Sequence, residues 1–250
     1  MRKTFEFLFV FTVLVFFSAP VMSAPLPYWA DNGFVQFADD EGHTSGPGVG
    51  GQDFDAEYFY VKLDGSTLSV GLQSGFDLYD GVQTWTDDQT YYAGDLALSF
   101  DGNVVLGDSD TYEYAFDFGF DTHSYDNNTN YSGDDTGLYL VDEWGDDGDI
   151  HYTTSNPFAM ATGDLVAGAG GATSGTESQL DWQSTYYRIA SFDISGIENF
   201  QQLDVHWTMS CGNDVIDGSY TPDPVPEPAT MVLLGSGLVG LALYRRRMKK

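Results

Sequence analysis

The stretch 24–220 predicts an all-β body, an antiparallel β-sandwich or jelly-roll-like domain. Three observations carry that reading. Short β-prone runs recur along the stretch, each bounded by Gly, Asp or Asn. Several runs alternate apolar and polar residues with period two, the spacing that sends every second side chain to one face of a sheet. Between them there is no long apolar pattern of helical period.

Taken in order, residues 34–37 give a first strand and 57–63 a second. Asp64-Gly65 then reads as a hairpin turn. The return strand, 67–72, places Leu68, Val70 and Leu72 on one face. Residues 96–100 form the next run, with a turn at 101–103. In 112–118 the aromatics Tyr112, Tyr114, Phe116 and Phe118 share one face, and Glu113, Ala115 and Asp117 take the other. Runs at 137–141, 188–194 and 203–209 bring the set to about eight strands. The Asp/Asn/Gly/Ser/Thr-rich stretches 121–135 and 163–176 read as loops, the second a mobile one through Ala167-Gly168-Ala169-Gly170-Gly171-Ala172. No fixed-period repeat is present.

Charge divides the chain sharply. The stretch 24–228 holds 37 acidic residues and only two bases, Lys62 and Arg188, a net of −35 against −29 for the whole chain. Such a body excludes nucleic-acid binding, which needs Lys and Arg to neutralise phosphates. It attracts cations and basic partners, or serves as a highly soluble, non-adhesive surface. Hydrophobic residues at 42% and aromatics at 16% suffice for a sizeable core. The single cysteine, Cys211, rules out an intrachain disulfide and reads as a small buried residue at a strand end, the alternative being a reactive thiol or a lipid or partner attachment point.

Both ends read as addresses. Met1-Arg2-Lys3, an apolar run from Phe5 to Phe17 and a small-residue region form a signal peptide, 1–23, cleaved between Ser23 and Ala24. The alternative cut after Ala24 would place Pro25 just past the scissile bond; an uncleaved anchor is the other alternative. At the other end, 221–228 is a Pro-rich spacer that favours extended backbone. Residues 229–244 carry no charge and predict a single transmembrane helix, roughly 24 Å long at ~1.5 Å per residue. The basic tail 245–250, with Arg245, Arg246 and Arg247, stops transfer and stays cytoplasmic.

Val225-Pro226-Glu227-Pro228-Ala229-Thr230, followed directly by a Gly-containing apolar segment and Arg245-Arg246-Arg247, resembles the PEP-CTERM sorting signal of Gram-negative bacteria. The resemblance spans about a tenth of the chain. It implies export, a transient inner-membrane anchor, and processing by an exosortase at Pro226, Glu227 and Pro228. It further implies a destination at the cell surface or in an exopolysaccharide or biofilm matrix. Tyr92–Phe100 and His206–Asp214 are similar to segments of some surface proteins that bear this signal.

The candidate chemistry of the body is cation binding. Asp outnumbers Glu 30 to 8, and short carboxylates on Gly-rich turns suit Ca²⁺, a hard cation that takes several oxygens. The densest set is Asp142, Glu143, Asp146, Asp147 and Asp149; Asp108, Asp110 and Glu113 form another, and Asp53, Asp55 and Glu57 a third. None has EF-hand spacing, and Asp-Gly is also ordinary turn chemistry. Trp85, Trp144, Trp182, Tyr91 and Tyr92 beside polar loops suit sugar stacking, or close the core as rim aromatics. His43, His123, His151 and His206 lack metal-ligand spacing, and His206 with Cys211 is a weak nucleophile pair. The sequence therefore predicts an exported, non-enzymatic surface or matrix protein, with calcium as its one candidate ion. The alternative is a secreted carbohydrate-binding lectin or a glycan-active enzyme using the acidic loops.

Overall fold

The computed structural model describes residues 24–40, 51–84, 89–124, 129–131, 135–145, 155–166, 170–180, 183–197, 200–222, 245 and 247, with the backbone alone for 177–180, 183 and 184. The expected signal peptide, the helix 229–244, Pro226, Glu227, Pro228 and Arg246 lie outside this set. So do Ser23, Asp146, Asp147, Asp149, Trp85, Trp182, His43 and His151. Among the described residues no helix is long and apolar enough to cross a membrane.

The body is built from antiparallel strands, as the alternation predicts. They run β1 (Val35–Asp39), β2 (Ala56–Asp64), β3 (Thr67–Ser74), β4 (Val82–Thr84), β5 (Thr90–Tyr92), β6 (Leu96–Ser99) and β7 (Tyr114–Asp117). There follow β8 (Gly137–Trp144), β9 (Met160–Leu165), β10 (Gly171–Leu180), β11 (Gln183–Asp193), β12 (Leu203–Thr208) and β13 (Val215–Tyr220). One sheet has the order β1-β2-β3-β11-β10, the other β13-β12-β6-β7-β8-β9, and β4 pairs with β5 alone.

The two large sheets enclose one core. Phe59, Val61, Leu68, Val70, Leu72, Ala190 and Phe192 enter it from the first sheet. Leu96, Leu98, Phe116, Leu138, Val205 and Trp207 enter from the second. Phe192 meets Phe116 and Phe100 across the gap, with ring centroids 5.7 and 6.3 Å apart. Each such fully buried large side chain contributes about 1.5–3 kcal/mol relative to exposure. Leu68, Val70 and Leu72 do share the inward face expected of them. The turn between β2 and β3 needs a left-handed residue, and Gly65 supplies it at φ +63°.

Period two sends Tyr58 and Tyr60 of β2 to the outer face, where a short helix, α1 (Pro27–Asp31), covers them. Trp29 of α1 stacks on Tyr60 with centroids 4.3 Å apart. The side chain of Gln73, wholly buried on β3, ties this segment down. Its Oε1 accepts from the Leu26 N–H at 3.1 Å and from Trp29 Nε1 at 2.8 Å. Its Nε2 donates to the Ala24 carbonyl at 3.0 Å and to Glu57 Oε2 at 2.6 Å. One amide thereby joins the segment beginning at Ala24 to a buried carboxylate.

Two expectations are corrected. The stretch 163–176 is not one loop: it contains the end of β9 and the start of β10. Its Gly, Ser and Thr composition carries weak strand propensity, but β11 pairs with β10 from Gly171↔Ser191 onward and overrides it. Tyr112 does not share a face with Tyr114 and Phe116. A 3₁₀ turn, Ser109–Thr111, precedes it, so the alternation begins only at β7. Composition also missed β4, β5, β13 and α1, which are short or mostly polar.

Replacing Gln73 with Met should keep the volume and strand the Trp29 indole N–H and one Glu57 oxygen. We expect a loss of about 2–4 kcal/mol, read as a lower urea midpoint, because orphaned buried polar groups cost about 1–3 kcal/mol each.

Candidate functional site

Three aspartates far apart in sequence meet at one corner of the sandwich. Asp40 follows β1, Asp55 stands between a 3₁₀ turn (Gly51–Phe54) and β2, and Asp214 precedes β13. One carboxylate oxygen from each lies within 4.8 Å of the others. Asp55 and Asp214 are only 6% and 3% exposed, and Asp40 is half-buried.

Local chain geometry fixes the three. The Asp55 carbonyl accepts from the Gly75 N–H at 2.9 Å and from Ser74 Oγ at 2.6 Å, pinning the entry to β2 against the end of β3. A side chain at Gly75 would collide with the Gln52 carbonyl, so the close approach requires glycine there. Asp214 Oδ2 accepts from the Ala56 N–H at 2.8 Å and Oδ1 from the Val215 N–H at 2.9 Å. The Asp40 N–H donates to the Glu57 carbonyl at 3.3 Å.

Burial pushes the Asp55 carboxyl up to about 8, reinforced by the negative charges of Asp40, Glu57 and Asp214 and by a hydrogen bond with Asp40. Burial also raises Asp214, to about 7, partly opposed by the Ala56 and Val215 N–H groups. Like charges crowded in a dry corner favour either a shared proton or a cation. An ion there would meet three hard oxygens, the donor type that Ca²⁺ takes.

Several other aspartates do turn chemistry. Asp108 Oδ1 accepts from the Asp110 N–H at 3.2 Å and caps the 3₁₀ turn before Tyr112. Asp77, Asp101 and Asp193 likewise accept from backbone N–H groups two residues on. Asp142 and Glu143 stand exposed on β8. In the third acidic set Asp55 joins the junction, Asp53 is exposed, and Glu57 turns to Gln52 and Gln73.

Asp40 and Asp214 were not singled out from sequence. Only the pairing of β1 with β2 and the chain turning from β12 into β13 bring them to Asp55. The one available signal was the Gly212-Asn213-Asp214 turn. Cys211 belongs to the inner core cluster, whereas His206 pairs with Asp217 outside it, so the two are not brought together. Tyr91 packs edge-on against Phe54, and Trp144 bonds the Tyr112 carbonyl at 3.0 Å, both as rim aromatics. Ala24 is exposed at the start of the body, and Arg245 and Arg247 are exposed and helical.

The pH dependence follows with a definite sign. Both junction carboxyls bind protons more tightly folded than unfolded, where Asp titrates near ~3.9. Their contribution to stability is whole below about pH 4 and is lost as pH rises through about 7 to 8. Melting temperature in metal-free buffer should fall by several degrees over that window, and Asp55→Asn should flatten the fall.

Comparison with curated proteins and with solved structures found no match to the chain. A family model described as the PEP-CTERM protein-sorting motif matches residues 224–247, the segment that holds Pro226, Glu227, Pro228 and the arginine cluster. The motif implies an exosortase as processing partner, and export with membrane-associated sorting toward the cell surface. The chain thus carries a PEP-CTERM protein-sorting motif at 224–247, the signal of an exosortase-dependent protein.

Proposed function

We propose that this is a non-enzymatic surface or matrix protein, exported by its leading segment and held briefly in the inner membrane by residues 229–244. An exosortase acts on it at Pro226, Glu227 and Pro228. The observation that carries this reading is the sorting motif at 224–247. A second supports it: β13, the last of the described strands, ends at Tyr220, before the matched segment begins at 224. Cutting within the spacer leaves the sandwich whole. Pro226, Glu227 and Pro228 are in this account a substrate for another enzyme and not catalytic groups.

Once released or re-anchored, the acidic body engages divalent cations or matrix polysaccharide. The junction of Asp40, Asp55 and Asp214 favours the cation. Extracellular calcium modules work at about 0.1–1 mM, so weak binding suffices there.

Deleting 226–250 should turn an envelope-associated protein into a plainly soluble periplasmic or secreted one, followed by fractionation of the host. Identical fractionation of the full chain and the deletion would remove the sorting account.

A further inference from the structure

The outer face of the second sheet carries a polar cluster for which the cation junction and the sorting signal give no use. Along β12, Val205 and Trp207 enter the core, so Asp204 and His206 face outward. Pairing with β13 sets His206 opposite Asp217 and Asp204 opposite Ser219. Tyr112 lies over them, its ring 5.8 Å from that of His206. Asp204 is 5% exposed, His206 not at all, and the Asp217 side chain 8%.

The Asp204 carboxylate is only half used. Asp204 Oδ1 accepts from Gln202 Nε2 at 2.8 Å and from Ser219 Oγ. Asp217 Oδ1 lies 2.7 Å from His206 Nδ1. Asp204 Oδ2 is buried and has no hydrogen-bond partner among the described residues, while Asp217 also takes a hydrogen bond from the Tyr112 hydroxyl. Buried carboxylate oxygens are normally paired, since an idle one loses its water without replacement. Burial, followed by the charges of Asp217 and Asp204 and a hydrogen bond with Asp217, raises the pKa of the Tyr112 phenol, so it stays a neutral donor to them.

Both aspartates line a cleft of about 740 Å³ between β1 and the segment 102–112. This is the size of a small-molecule site. Asp39 lines it as a third carboxylate, Phe37, Val104 and Leu106 give it an apolar wall, and no Lys or Arg is among its lining residues.

We propose that this cleft binds an organic cation, a primary ammonium or guanidinium group on a short carbon body. Asp204 and Asp217 receive the charged head, and the wall of Phe37, Val104 and Leu106 covers the carbon. A bare metal ion fits less well. His206 Nε2 and Asp217 Oδ2 sit at opposite ends of the Nδ1–Oδ1 contact and do not converge on one ion. The three acids that do converge, Asp40, Asp55 and Asp214, are a different set. A neutral sugar would bring donors but leave the buried Asp204 charge without a counter-charge. The inference stands apart from the sorting motif and does not depend on it.

The test is calorimetric titration of the detergent-solubilised full chain with agmatine, which carries both cationic head types. We expect saturable single-site binding. Asp204→Asn and Asp217→Asn should each weaken it at least about tenfold, the worth of one charge-assisted hydrogen bond. Asp164→Asn, exposed on β9, should leave it unchanged. Gln36→Lys plants an ammonium in the cleft without touching the cluster, and should abolish binding in a chain that melts as before. The proposal is overturned by absence of saturable binding, or by equal weakening in Asp164→Asn, which would mean diffuse charge attraction. It is also overturned if calcium or maltotriose, and not agmatine, loses affinity in Asp204→Asn.

Discussion

Too few cations for the carboxylates is the constraint on which this structure turns. With 37 acids and two bases between 24 and 228, internal ion pairing cannot neutralise the body. The two bases are spent elsewhere. Arg188 donates to the Leu78 and Phe118 carbonyls at 3.1 and 2.7 Å and stacks over Phe120 at 4.0 Å, joining two loops to β11. Burial lowers its pKa to about 10, still far above neutral, so it remains charged there. Lys62 donates to the Asn32 carbonyl at 3.0 Å. Among the described residues the acid–base contacts are between histidine and aspartate, and are ion pairs only when the imidazole is protonated.

The acids are therefore met in three other ways. Exposed ones accept from turn N–H groups, where water screens what is left. Glu57, 1% exposed, is held by the neutral amides of Gln52 and Gln73. Buried Asp95 and Asp117 accept from the Met160 and Gly119 N–H groups, and other buried acids gather at the Asp40–Asp55–Asp214 corner and under Tyr112. At those two places the fold holds buried carboxylates crowded beyond what the described cationic side chains answer.

The layered fold was legible because period two survives in the sequence wherever one face is buried: Leu68, Val70 and Leu72 are the clear case. It was not legible where strands are edges or polar. β10 is recognised only by its partner β11, and β13 reads Val-Ile-Asp-Gly-Ser-Tyr, half of it turn-forming residues. The sorting signal was legible in full because it is a local linear pattern. The acidic junction was not, because its members stand at 40, 55 and 214 and only strand pairing assembles them. The cluster under Tyr112 was hidden for a further reason. A 3₁₀ turn breaks the alternation just before β7 and moves an aromatic expected inside to the outer face.

The claim that charge in the body is completed from outside is tested most directly by comparing ions at matched ionic strength. Melting of the full chain at pH 8 should be followed in metal-free buffer against added calcium and against added sodium. The account predicts that calcium raises the melting temperature clearly beyond sodium, and that Asp214→Asn removes much of the excess. Equal shifts from the two salts would mean that only general screening acts, and would contradict it.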